Sequence, residues 1–303
     1  MSVTGSRNRS MRAHVVRCIG EWLMRMCATG VIASVAYAQD VVGRTPVPAP
    51  TIALFYGESV PVGQLNGFDV VVVEPDATFD PRAYPDKKPA WFAYASVGEV
   101  NGERRYAVRM PRKWLIGANQ AWAAAVIDQA APGWPDFFVD HVIAPLWERG
   151  YRGFFLDTLD SYQLVAKTGA ARVGQEAGIV RVIRKLKARY PSARLILNRG
   201  FEVLPQVHGL VDMVAFESLY RGWDPVKQQY TEVSPPDRDW LLAQARSIRT
   251  QYGLPVLAID YCPERDEQCR KDTASRIVAA GLTPYVTDGG LMTVGYGKAV
   301  RLK

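Results

Sequence analysis

Gly153-Phe154-Phe155-Leu156-Asp157-Thr158-Leu159-Asp160-Ser161-Tyr162 decides how this chain folds. An uncharged, mostly aromatic and aliphatic run stops at a carboxylate, and the turn after it carries a second acid, Asp160. Strands covered by helices on both faces read as short continuous apolar runs, because neither face of the sheet meets water. A carboxylate closing such a run sits where a parallel barrel presents its reactive side chains, at the C-terminal ends of the strands. Asp212-Met213-Val214-Ala215-Phe216-Glu217-Ser218-Leu219-Tyr220 repeats the arrangement with Glu217 at the strand end. Asp157 and Glu217 are therefore the candidate catalytic pair.

Outward from these two runs, strand-length apolar segments recur at 52–56, 70–73, 91–96, 195–198, 256–259 and 284–287, which makes eight with 153–156 and 213–216. Helical periodicity falls between several of them, at 136–149, 174–190, 237–252 and 270–280, the first with Phe137, Phe138, Val142, Leu146 and Trp147 as its apolar stripe. Alternating strands and helices imply parallel pairing with helical crossovers, and eight strands predict an α/β fold closed into a single (β/α)8 TIM barrel. No G-x-G-x-x-G follows a strand and no P-loop is present, so the usual ligand signals of an open doubly wound sheet are missing. The irregular stretch 109–133 takes no assignment.

Residues 1–38 read as a secretory signal peptide. Arg7, Arg9, Arg12, Arg17 and Arg25 form a basic leader, 26–35 is largely apolar, and Ala36-Tyr37-Ala38 supplies an A-x-A cleavage site. The apolar part is shorter than the ~20 residues needed to span a bilayer, so no stable membrane insertion is expected after cleavage. A Pro-rich linker occupies 39–50, and 51–303 forms the folded domain. The leader carries +4 of the formal net charge of +7, leaving a mildly basic mature chain without a basic run, which gives no case for nucleic acid. Cys18 and Cys27 leave with the leader. The remaining pair, Cys262 and Cys269, is expected to form a disulfide in an exported protein.

The strand ends are rich in polar and aromatic groups. Besides the two acids, Tyr56, Asp76, Tyr94, Ser96, Glu99, Asp160, Asn198, Arg199, Tyr220, Asp260, Tyr261 and Tyr285 are candidate substrate-binding residues. Closure would bring them to one face as an acidic pocket walled with aromatic rings, which suits a sugar: carboxylates and amides pair with hydroxyls while rings stack on pyranose faces. Any one of the acids also has an ordinary explanation as a loop or helix cap. A pair of acids can protonate a glycosidic oxygen and act as nucleophile or base. Other chemistries lack parts: the mature chain holds only His141 and His208, with no G-x-S-x-G, no H-E-x-x-H and no cysteine cluster, so neither metal nor cofactor is expected.

At Phe55-Tyr56-Gly57, Val73-Glu74-Pro75-Asp76, Ala93 to Glu99, Phe155 to Tyr162, Asn198-Arg199-Gly200 and Phe216-Glu217-Ser218 the chain resembles glycoside hydrolase family 114, the endo-α-1,4-polygalactosaminidases that include the hydrolase domain of Pel-polysaccharide biosynthesis proteins. The resemblance runs from about residue 52 to 291. It implies a (β/α)8 barrel cutting α-1,4-linked galactosamine or N-acetylgalactosamine chains internally, with Asp157 after the fourth strand and Glu217 after the sixth as the acids. By analogy with related barrels it also implies retention, Asp157 acting as nucleophile and Glu217 as acid/base. The expected partner is an aminosugar polysaccharide whose ammonium groups meet Asp76, Glu99, Asp160 and Asp260. A free-standing periplasmic or secreted hydrolase is the expectation, since this length leaves no room for a deacetylase-type domain; membership of a polysaccharide-biosynthesis complex is the other reading. The rival functions are a hydrolase of another α-linked polysaccharide and an inactive polysaccharide-binding protein on the same scaffold.

Overall fold

All eight apolar runs are strands in the computed structural model, which describes residues 50–85 and 88–297; the leader, and the linker apart from Pro50, lie outside the described residues. The barrel strands are Ile52–Phe55, Val70–Val73, Ala90–Ser96, Gly153–Asp157, Arg194–Asn198, Met213–Glu217, Val256–Tyr261 and Thr283–Thr287. They pair in parallel in sequence order, so strand position in space follows strand position in the chain. Register sets the height of each strand end. Ser96 lies opposite Asp157, Asn198 opposite Ala215, and Glu217 opposite Ile259, which brings the polar ends to one level at the C-terminal mouth.

The seam between first and eighth strands is closed by the chain beyond the eighth. Val286 and Tyr296 exchange backbone hydrogen bonds at 2.8 and 2.7 Å, and the Tyr56 amide donates to the Leu291 carbonyl at 2.8 Å. Across the seam itself the Tyr285 hydroxyl donates to the Leu54 carbonyl at 2.7 Å.

Three of the helices begin earlier than their periodicity indicated, because capping side chains rather than apolar stripes fix where they start. Thr168 accepts from the Ala171 amide to open Gly169–Arg189, Ser234 from Asp237 to open Pro235–Tyr252, and Asp266 from Cys269 to open Glu267–Ala279. The helix expected at 136–149 runs from Trp134 to Glu148 with a π-helical turn at Val139–Ile143. Cys262 and Cys269 are disulfide-bonded, tying the end of the seventh strand to the last of these helices.

The unassigned stretch 109–133 supplies two short antiparallel strands, Leu115–Asn119 and Ala124–Ile127, which form a small sheet with Glu99–Val100. A second hairpin, Arg221–Asp224 with Gln229–Glu232, follows the sixth barrel strand. Both insertions leave from C-terminal strand ends, so they build up the walls of the mouth.

The loop after the inserted sheet packs closely on one helical glycine. A Cβ on Gly178, inside the helix Gly169–Arg189, would lie 1.8 Å from the Gln129 carbonyl oxygen. Alanine outranks glycine by ~1 kcal/mol in a helix, yet Gly178→Ala is expected to destabilise the protein by about 1–3 kcal/mol through that clash. Urea denaturation of the variant beside wild type checks the sign.

Candidate active site

Asp157 and Glu217 end the fourth and sixth barrel strands, and the strand between them ends in Asn198. The Asn198 side-chain amide donates from one nitrogen to both acids, 2.7 Å to Asp157 Oδ1 and 3.0 Å to Glu217 Oε1. Each acid has a second donor on its far side. The Tyr94 hydroxyl donates to Asp157 Oδ2 at 2.9 Å, and the Tyr261 hydroxyl donates to Glu217 Oε2. Tyr56 stands edge-on to Tyr94, ring centroids 5.2 Å apart. Two carboxyl groups are thus fixed in position by donors from the third, fifth and seventh strands.

The turns leaving these strands are shaped by left-handed backbone. Thr158 has φ 60° and Arg199 φ 59°, a conformation costing roughly 1–3 kcal/mol for residues other than glycine. Surrounding hydrogen bonds hold it. Thr158 Oγ1 donates to the Asp157 carbonyl at 2.7 Å, accepts from the Gly98 amide at 2.8 Å and lies 2.8 Å from Ser96 Oγ. Arg199 donates to the Glu217 carbonyl at 2.7 Å and faces Asp160 at 3.6 Å.

Burial raises both acids. The Glu217 carboxyl is pushed up to about 7, first by loss of water and then by the neighbouring Asp157 charge, against the pull of Tyr261 and Asn198. Asp157 is raised by the same loss of water and held back by the Thr158 backbone, Asn198 and Tyr94. The hydroxyls of Tyr56, Tyr94 and Tyr261 are driven well above their ordinary value by burial, which keeps them as donors.

Around the pair lies a cavity of about 550 Å³, a size suited to an oligosaccharide segment. Of the residues expected there, Tyr56, Tyr94, Ser96, Glu99, Asp160, Asn198, Arg199 and Tyr261 line it with Asp157 and Glu217. Four others do not. Asp260 is fully buried and accepts the backbone amides of Leu219, Tyr220 and Arg221 at 2.6, 2.7 and 2.9 Å, so it braces the loop after Glu217 instead of facing a ligand. Tyr285 is buried within the barrel with its hydroxyl on Leu54. Tyr220 packs beneath the Arg276 guanidinium, 4.0 Å from its ring centre. Asp76 takes a 3.0 Å hydrogen bond from Arg104 and lines a neighbouring cavity of about 290 Å³.

The cavity also contains residues that strand-end reasoning passed over. Arg104 pairs with both oxygens of Glu74 and lies over the Tyr94 ring at 5.6 Å. Asn119 and Trp122 come from the small inserted sheet and the turn within it, and Trp223 from the second hairpin. Trp122 is 60% exposed, an uncommon state for a tryptophan, but that exposure is legible only in the folded chain.

Known proteins share this architecture. The glycoside hydrolase domain of PelA from Pseudomonas aeruginosa is 36% identical, superposes with a TM-score of 0.75, and the match covers 82% of this chain and 99% of that domain. Ega3 of Aspergillus fumigatus, solved in complex with galactosamine, is 13% identical with a TM-score of 0.59 over 82% of this chain and 94% of its own, a likeness of fold. An uncharacterised protein of Deinococcus radiodurans is 28% identical over 249 residues, 74% of each chain. The model of Glycoside-hydrolase family GH114 matches residues 41–301, nearly the whole chain. A barrel of this order, a pair of buried acids at its mouth and that match together place the chain in glycoside-hydrolase family GH114.

Proposed function

We propose that this glycoside hydrolase is exported and cuts α-1,4-linked galactosamine and N-acetylgalactosamine exopolysaccharide internally, with retention of configuration, Asp157 acting as nucleophile and Glu217 as acid/base. The observation that carries the reading is the single Asn198 nitrogen bound to both acids. The two oxygens it touches can be no farther apart than the sum of its two hydrogen bonds, 2.7 and 3.0 Å. That ceiling on the two facing oxygens is in keeping with the ~5–5.5 Å between carboxyl groups in retaining enzymes, against the ~6.5–9.5 Å that leaves room for a water molecule in inverting ones.

In the first step an Asp157 oxygen attacks the anomeric carbon while Glu217 gives its proton to the departing glycosidic oxygen. In the second, Glu217 takes a proton from water, the water oxygen attacks the same carbon, and the Asp157 carboxylate leaves. Tyr94 and Asn198 favour the ionised Asp157 the attack requires, while burial keeps the proton on Glu217. The substrate assignment draws on the hydrolase domain of PelA and on Ega3 with galactosamine. Export draws on the basic leader, and the Cys262–Cys269 disulfide is in keeping with an oxidising periplasmic or extracellular setting. Among the described residues no helix is long and apolar enough to cross a membrane.

Purified protein incubated with a partly deacetylated α-1,4-galactosamine polymer should release reducing ends, with the product anomer matching the substrate. Inverted product would overturn the retaining assignment, and bound polymer without release would make this a binding protein. The rate should also report the acid. Because Glu217 works protonated and titrates at about 7, kcat/KM should fall about tenfold per pH unit above that point. The acidic limb, set by protonation of Asp157, should lie above the ordinary aspartate value, since burial raises that group. A pH profile from 4 to 9 reads both limbs.

A further inference from the structure

An amine-bearing polymer needs a carboxylate that is not already neutralised, and the cavity holds few. Asp157 and Glu217 are the reacting pair. Glu74 is bidentate with Arg104, and Asp160 faces Arg199 at 3.6 Å. Outside the cavity, Asp76 is paired with Arg104 and Asp260 is consumed by three backbone amides.

Glu99 differs from all of these. Although only 5% exposed, it lines the catalytic cavity and has no ion-pair partner among the described residues. Its side-chain hydrogen-bond partners are neutral. Oε1 accepts from Asn119 Nδ2 at 2.9 Å and from Ser161 Oγ at 2.6 Å, while Oε2 receives no hydrogen bond from any described residue and is not among the sealed, unpartnered polar atoms. One oxygen is therefore used to hold the side chain, and the other is open to the cavity. The backbone fixes where this happens: the Glu99 carbonyl accepts from Ser96 Oγ at 2.7 Å, and Ser96 lies opposite Asp157 in the barrel register. Ser161, the other anchor, follows Asp157 by four residues. The half-satisfied carboxylate is thus on the same side of the mouth as the nucleophile. Nearly buried, it would be a poor place to leave a charge without a partner, and a good place to receive one.

We propose that Glu99 Oε2 binds the protonated 2-amino group of an unacetylated hexosamine unit, so that this subsite selects deacetylated over N-acetylated sugar. The inference rests on the aminosugar reading above and narrows it from several acids to one. An N-acetyl group brings neither the charge nor the room for it: it offers one amide N–H and a bulky methyl where a nearly enclosed carboxylate expects an ammonium.

The test is calorimetric binding of galactosamine and of N-acetylgalactosamine to wild type and to Glu99→Gln. Glutamine keeps an oxygen for Asn119 and Ser161 but loses the charge. Wild type should prefer galactosamine by about tenfold or more, the worth of one charge-assisted hydrogen bond, and Glu99→Gln should lose that preference. The ratio of kcat/KM on deacetylated and N-acetylated polymer should fall by the same factor. An unchanged preference in the variant, or none in wild type, would overturn the assignment. Should the variant not fold, wild type alone decides: its preference must disappear when the pH is raised above the pKa of the sugar amine, and persistence there refutes the ionic contact. Failure of the hydrolase reading looks different. It would show as no reducing ends from any aminosugar polymer, while the binding preference for galactosamine and its loss in Glu99→Gln would stand or fall separately.

Discussion

Asp157→Asn is expected to lower kcat by about 10⁴-fold or more while leaving polymer binding largely intact, the size of loss seen when a covalent nucleophile is removed from a site that still binds. Asparagine keeps the contacts with Tyr94 and Asn198 within reach and removes the oxygen that forms the bond to the sugar. Glu217→Gln should cost about 10²–10⁴-fold, the usual worth of a general acid, and should abolish the alkaline limb near pH 7. The roles can be told apart by adding azide to the alanine variants. A nucleophile variant rescued by azide yields a glycosyl azide of inverted configuration, whereas an acid/base variant yields one of retained configuration, because its covalent intermediate still forms. Wild-type turnover in Asp157→Asn, or the two azide products exchanged, would refute the assignment.

The second large effect is on stability. Asp260 accepts three consecutive backbone amides just beyond Glu217, in an interior where each N–H left without a partner costs about 1–3 kcal/mol. Asp260→Ala should therefore lose roughly 3–5 kcal/mol and melt roughly 10 °C lower. Part of that loss should appear in the chemistry, because the loosened loop begins at Glu217. A folded Asp260→Ala fraction is expected to show reduced kcat with little change in KM. Scanning calorimetry with single-temperature kinetics separates the two effects, and a variant melting within 2 °C of wild type would show that the loop does not depend on this carboxylate.

Asp260 and Tyr261 also show where sequence reading works and where it stops. The barrel strands are legible because each is covered on both sides and reads as an apolar run. The three-stranded insertion is not, since Leu115–Asn119 is largely exposed and carries no alternation for a half-buried strand to announce. Acids at strand ends are equally visible, but which way each points depends on pleat. Adjacent residues on a strand face opposite sides, so Tyr261 reaches into the cavity and Asp260 turns away to the loop at Leu219–Arg221. Tyr285 lies two residues inside its strand, too deep to reach the mouth. Asp76 and Glu74 have their charge met by Arg104, on an irregular loop nearly thirty residues later, and nothing local foretells that pairing. Asn198 was visible as a strand-end polar group, but its contact with both acids follows only from the barrel placing the fifth strand between the fourth and sixth.

The seam where the barrel closes bears on the order of events as the chain is made. Leu54 and Tyr285 are joined across 231 positions, and the Tyr56 amide waits for the Leu291 carbonyl. Contacts so distant are the slowest to form, and the first strand keeps an unpaired edge until they do. A ribosome must have released nearly the whole of the described chain before that edge is covered, so the nascent protein remains open and unfinished throughout synthesis. Under the export proposed above, late closure is the useful order: a chain still lacking its last strand contacts stays passable through a translocation pore, and it shuts once they arrive.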